Sequence, residues 1–258
     1  MYRAALALWL VVGAARAACT AGPFGVNVCF AVSQSDGADL AKECSFVSKV
    51  VNKIVHGTAA AAAYFDGGAL GSLAAFDANT AELLVDSTNI VADVKDGCSE
   101  ELPSRRLWLR ELRNATEAQL APAARLCLDE LAAADNTFPS VLVFVSDGPP
   151  KDADAAAIKD KATNDGIFVF GIGVDVDTET RDLLKALLPA APHGVYFGVT
   201  GYPQLNNAAV NVAARINDLD NDGTVNSCDA CPVAAAAAAA AHPQHVDARR
   251  APHAVPQR

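Results

Sequence analysis

The chain has 258 residues, with 20 Lys+Arg against 30 Asp+Glu and a formal charge of −10. That acidic balance argues against a nucleic-acid binder, because phosphates call for a basic footprint. Hydrophobic residues make up 52% and aromatics only 6%, so small side chains fill the core, and 19% charged residues argue against a wholly disordered chain.

Residues 1–17 read as a secretory signal peptide. Arg3 is the positive start, an apolar run follows, and Ala15-Arg16-Ala17 gives the small-x-small cleavage pattern. The run is short for a bilayer span, and no later segment is longer, so no membrane span is expected. The implied compartment is extracellular and permits disulfides. All seven cysteines lie beyond residue 17, and an odd number leaves one free or paired with another chain. A disulfide-linked partner is therefore among the expected partners. Cys29, inside an apolar run, reads as an inert core thiol. The other pairings are not readable.

The middle of the chain alternates strand and helix. Val26–Val32 is a near-continuous apolar run, as a strand buried on both faces requires. Leu40, Cys44, Val47, Val50, Val51 and Ile54 recur at helical spacing. Asp66-Gly67-Gly68 is a tight-turn signal between "AAAAAYF" and "ALGSLAAF", which predicts a hairpin. Asn79 or Thr80 is placed to cap a helix carrying Leu83, Leu84, Ile90, Val91 and Val94. Residues 97–113 are the least regular. A helix is expected over about 117–134, with Pro122 tolerated in its first turn. Val141–Gly148 is a second core strand, "AAAIKDKATNDG" a helix ending at Gly166, and "IFVFGIGV" a third strand. "ETRDLLKALL", "GVYFGV" and "QLNNAAVNVAARI" then read as helix, strand and helix. The pattern predicts an α/β fold: a doubly wound, Rossmann-like, mostly parallel sheet with one antiparallel edge strand and helices on both faces. Ligands of such sheets bind beyond the carboxyl ends of the strands, which points to the loops after Val32 and Val145 and before Leu120.

The order of elements, with "VCFAVSQSDGAD", "VLVFVSDGPP" and "GIFVFGIGVD", resembles a von Willebrand factor type A domain over about residues 24–217. The resemblance implies an extracellular adhesion or protein-binding module. It also implies a divalent cation, Mg2+, at the top of the sheet, held by an Asp-x-Ser-x-Ser loop, a Thr and an Asp. A hard cation wants about six oxygens and at least one carboxylate. An open position then accepts a carboxylate from the ligand. Here the site is degenerate. One register puts Ser33 at the first Asp, Ser35 at the first Ser and Gly37 at the second. The other makes Ser33 and Ser35 the two serines and puts Ala31 at the Asp. Neither supplies the aspartate. Asn114 falls at the Thr position with Thr116 two residues on, and Asp147 matches clearly. The expected site is therefore Ser33, Ser35, Asn114, Thr116 and Asp147. Asn114-Ala115-Thr116 is also a glycosylation sequon, and a glycan on Asn114 would crowd the same rim.

Beyond this region, Asp218, Asp220 and Asp222 take positions 1, 3 and 5 of a calcium loop, with Gly223 at 6, Thr224 at 7, Asn226 at 9 and Asp229 at 12. With Cys228 and Cys231, residues 218–232 resemble one thrombospondin type 3 repeat, implying a Ca2+ site. The pair also fits a Cys-x-x-Cys zinc or redox motif, but has no second pair or suitably spaced His. Residues 233–258 are low-complexity, with an alanine run and scattered histidines, and read as disordered.

No enzyme is expected. Gly171-x-Gly173 after a strand is a fragment of a dinucleotide fingerprint, yet Val176 stands where a small residue is required. No nucleophile elbow occurs, and His56 and His193 have no evident nucleophile partner. Two functions follow as expectations. One is a secreted module that binds an extracellular protein or matrix ligand through the upper loops. The other is a structural extracellular protein stiffened by calcium at Asp218–Asp229.

Overall fold

The computed structural model describes residues 25–33, 39–54, 69–76, 81–101, 120–134, 138–150 and 155–219. Strand β1 (Asn27–Ser33) leads to helix α1 (Leu40–Ile54), then β2 (Gly71–Phe76) and β3 (Ala81–Thr88). A short helix α2 (Val91–Asp96) runs into one π-helical turn, Gly97–Glu101. Next come α3 (Leu120–Ala133), β4 (Ser140–Ser146), α4 (Ala155–Asn164) and β5 (Phe168–Val174). Helix α5 (Thr178–Ala186), β6 (Gly194–Val199), a 3-10 turn at Tyr202–Gln204 and α6 (Leu205–Ile216) complete the order.

The six strands form one sheet in the order β3-β2-β1-β4-β5-β6. All neighbours are parallel except β2 and β3. This is the expected doubly wound α/β architecture with one antiparallel edge strand. Alternation along each central strand feeds two cores. Val28, Phe30 and Val32 of β1, with Val141, Val143 and Val145 of β4, face α1 and α6. Cys29 and Ala31, with Leu142 and Phe144, face α3, α4 and α5. The period of two explains why these strands read as unbroken apolar runs: both faces are covered.

Three readings of the sequence are corrected. Within the segment expected to form a helix from residue 79, Ala81–Thr88 is strand β3, and helix begins only at Val91. Leu83 and Leu84 sit at helical spacing to Ile90 and Val91, but pairing with β2 wins over that pattern, as context often does. The antiparallel pair is therefore β2–β3, joined across residues 77–80. The turn at Asp66-Gly67-Gly68 lies outside the described residues. Finally, Cys29 is not a thiol: it is bonded to Cys127 of α3, with the Cα atoms 5.4 Å apart. A second bridge joins Cys44 of α1 to Cys98 of the π turn. All four cysteines among the described residues are thus paired within the chain. Cys19, Cys228 and Cys231 lie outside the described residues.

Local rules account for the element ends. Asp177 caps α5 by accepting from the Thr180 N–H at 2.7 Å, which holds its carboxyl below the usual aspartate range. Gly166, at φ +67°, ends α4 in the left-handed region where glycine has no penalty. The fingerprint-like Gly171-x-Gly173 has a packing cause. A Cβ at Gly171 would lie 2.5 Å from the Phe144 ring, and one at Gly173 would collide with the Tyr196 hydroxyl. These glycines let side chains cross β5, and the dinucleotide reading loses its support.

Candidate functional site at the crown of the sheet

Because β1 and β4 run parallel, with Ala31 level with Phe144, their carboxyl ends reach the same rim. Ser33 is the last residue of β1, and Asp147 is the first residue past β4. Register alone brings them together: Ser33 Oγ lies 3.5 Å from Asp147 Oδ1. Ser33 is fully buried and Asp147 half-buried. The turn after β4 is fixed by Ser146, whose hydroxyl donates to the Gly148 carbonyl at 3.0 Å.

Two further side chains meet there that the sequence reading missed. Glu43 lies in the first turn of α1 and is fully buried. Tyr202 comes from the 3-10 turn after β6, and its hydroxyl donates to Glu43 Oε1 at 3.4 Å. The Asp147 carboxylate also acts on that hydroxyl electrostatically. Burial first, and then the two carboxylates, push the Tyr202 phenol far above its usual range. A signal for Glu43 existed. Residues 40, 43, 47, 50 and 54 share one helix face, and all of them are buried. The spacing had put Cys44 on that face. Cys44 is only half-buried and turns to its bridge with Cys98.

Of the five residues expected at the upper site, the structure brings Ser33 and Asp147 together. Ser35, Asn114 and Thr116 lie outside the described residues, as do Asp220, Asp222, Thr224, Asn226 and Asp229 of the calcium loop. Asp218 is described and sits at the opposite end of the domain. There the Arg215 guanidinium donates to the carbonyls of Asp218 and Pro192, and Asn217 donates to the Lys53 carbonyl at 3.2 Å. Leu219 next to it is fully buried in the core.

The crown offers hydroxyl and carboxylate oxygens, the donor type a hard divalent cation takes. Two oxygens 3.5 Å apart can share one ion after a small approach, since Mg2+ holds its ligands at about 2.0–2.1 Å. The donor set therefore fits such an ion in kind. Among the described residues no three His, Cys, Asp or Glu side chains gather as a metal cluster. No described helix is long and apolar enough to cross a membrane.

The sheet order, mostly parallel with one antiparallel edge strand, is that of a Rossmann-like α/β fold of the von Willebrand factor type A kind. No family model and no curated protein matches the chain. Solved structures do. Proximal thread matrix protein 1 from the mussel byssus matches with a TM-score of 0.58 and 13% identity, over 77% of this chain and 48% of that one. The conserved hypothetical protein BatB from Bacteroides thetaiotaomicron matches with a TM-score of 0.55 and 16% identity, over 76% and 98%. A von Willebrand factor type A structure from Catenulispora acidiphila gives 0.51 and 13%, over 75% and 43%. The chain thus spans about half the length of the mussel protein. Another structure of that mussel protein carries zinc in its MIDAS motif, its TM-score to this chain being 0.55.

Proposed function

We propose that this chain is a secreted, non-enzymatic protein-binding module that captures an extracellular protein or matrix ligand at the crown with the help of a divalent cation. The carrying observation is the meeting of Ser33 Oγ and Asp147 Oδ1 at 3.5 Å, on the rim where doubly wound sheets bind ligands. The zinc-bearing site of the mussel protein supports the same reading. Two internal disulfides support an oxidising compartment, consistent with a leader over residues 1–17. In this reading Ser33, Ser35, Asn114, Thr116 and Asp147 surround the cation. A bound ion would supply an open coordination position, and the chain's own residues would orient the incoming carboxylate and exclude water around it. Unglycosylated Asn114 belongs to this state, because a glycan would cover the rim.

A second reading assigns a structural role to residues 218–232, with Ca2+ held by Asp218, Asp220, Asp222, Thr224, Asn226 and Asp229. The buried Leu219 favours it, since it would anchor such a loop directly to the core. The two sites would lie at opposite ends of the domain and act independently.

Calorimetric titration of the mature chain tests both. Mg2+ binding lost in Asp147→Ala supports the adhesion reading. Ca2+ binding that survives Asp147→Ala and is lost in Asp220→Ala with Asp222→Ala supports the structural one. Absence of heat with either ion overturns the metal component of both.

A further inference from the structure

We infer that the groove between β6 and α6 receives this chain's own alanine run, Val233–Ala241, which docks there as a short helix and covers the uncharged edge of the sheet. The inference rests on neither cation reading. Strand β6 (Gly194–Val199) is an outer strand and contains no charged residue and no proline. The other outer strand, β3, carries Glu82 and Asp86. An outer strand without such guards is a template for another chain unless something covers it. Helix α6 covers β6 poorly, because it packs chiefly against α1. Val195 and Phe197 pack on the core yet stay only half-buried. Between them and α6 lies a groove of about 550 Å3, with Pro192, Val195 and Phe197 on one side and Ala214, Arg215 and Asp218 on the other. Val210, one turn before Ala214, is 45% exposed and extends the apolar surface of the helix.

The chain itself supplies the occupant. Asp218 lines the groove, Leu219 after it is buried in the core, and residues 220–258 continue from that point. Of that length only Val233–Ala241 is an unbroken apolar run. Residues 220–231 carry Asp220, Asp222 and Asp229, and residues 242–258 carry Asp247, Arg249, Arg250 and Arg258. Such charges are costly to place in an apolar groove. Residues 220–232 give ample reach, since at about 3.3 Å per residue they can span roughly twice the length of β6. Alanine has the highest helix propensity, Pro232 stands where a helix start tolerates proline, and Pro243 ends the pattern. A helix this short is marginal alone in water, so the groove decides whether it forms. A seventh strand is disfavoured by handedness. Helices α4 and α5 lead from β4 to β5 to β6 across the Cys29 face, whereas α6 lies on the other face. A parallel strand added beside β6 straight after α6 would make a left-handed crossover.

Hydrogen exchange read by mass spectrometry on the full mature chain tests the inference, with sedimentation velocity as the second readout. Two variants accompany the wild type. Ala214→Trp fills the groove from an exposed position on α6. Ala236→Asp, Ala238→Asp and Ala239→Asp together put carboxylates around the run. The inference predicts that amides of residues 233–241 exchange at least about tenfold slower in the wild type than in an unstructured chain. Both variants should bring them to the unstructured rate, and residues 194–199 should lose protection in the aspartate variant while β1 and β4 keep theirs. Unstructured rates over 233–241 in the wild type overturn the inference. So does protection there that survives Ala214→Trp, which would put the run elsewhere. Protection of β6 that appears only as a dimer forms with rising protein concentration also overturns it, and makes a second copy the cover. Should Ala214→Trp disturb β1 and β4, the aspartate variant decides through residues 194–199: unchanged protection there overturns the inference.

Discussion

The bridge between Cys29 and Cys127 joins the central strand that delivers Ser33 to helix α3 behind it. Replacing both residues by alanine removes a crosslink of sequence separation 98. The Cys44–Cys98 bridge, of separation 54, is nested inside that loop. It already restrains part of the loop, so the free length is 98 less 54, or 44 residues. In the chain-entropy picture a loop of that size is worth about 4 kcal/mol at room temperature. Both sulfurs are fully buried, so some packing is lost as well. The double variant should therefore lose about 3–5 kcal/mol of unfolding free energy, close to the whole margin of an ordinary domain. Urea unfolding followed by circular dichroism measures it, with the m-value confirming that both proteins unfold in one step. A loss below about 1 kcal/mol would refute the reasoning. So would two free thiols at these positions in the non-reduced mass spectrum.

Further outcomes follow from single side chains. Gly171→Ala should cost about 1–3 kcal/mol, because its Cβ would meet the buried Phe144 ring at 2.5 Å; chemical denaturation checks it. Tyr196→Phe should leave stability unchanged or raise it by up to about 1 kcal/mol, since the buried hydroxyl has no hydrogen-bond partner among the described residues. His193, stacked on Phe168 at 4.3 Å, has its pKa lowered by burial. The unfolded chain then binds the extra proton first. The stability involved is fully present above the ordinary histidine pKa of about 6.5 and declines as pH falls toward the lower folded value. His193→Phe should flatten that part of the stability–pH curve in thermal scans. For Asp177 the folded pKa is depressed by the Thr180 N–H and hydroxyl. Its stabilisation of α5 is complete above the usual aspartate value and is lost as pH falls through the folded one. Asp177→Asn should remove that acid-side loss, which a pH series of hydrogen exchange in α5 would read.

What the sequence reveals and what it hides divide along physical lines. Strands β1, β4 and β5 are legible because burial on both faces leaves no polar alternation to confuse. Helix α3 is legible with Pro122 in its first turn, where the missing N–H costs nothing. Strand β3 is not legible: it is a half-buried edge, and its leucines mimic a helix until β2 claims its backbone. Cys29 reads as a core hydrophobe because a buried half-cystine and a buried thiol occupy the same apolar setting. At the crown, Ser33 and Asp147 are predictable from strand ends and register. Glu43 and Tyr202 are not, since a lone glutamate on a helix normally marks the solvent face and Tyr202 follows no motif. Only its phase with Leu40, Val47 and Val50 betrays Glu43 as inward-facing.

The central claim is a cation held at the crown by Ser33 and Asp147. Crystals of the mature chain soaked in MnCl2, with anomalous scattering recorded at the manganese edge, test it most directly. The account predicts one peak bonded to Asp147 Oδ1 and adjacent to Ser33 Oγ, at roughly 2.2 Å from the carboxylate oxygen. A peak confined to the far end of the domain near Asp218, or no peak at saturating manganese, would contradict it.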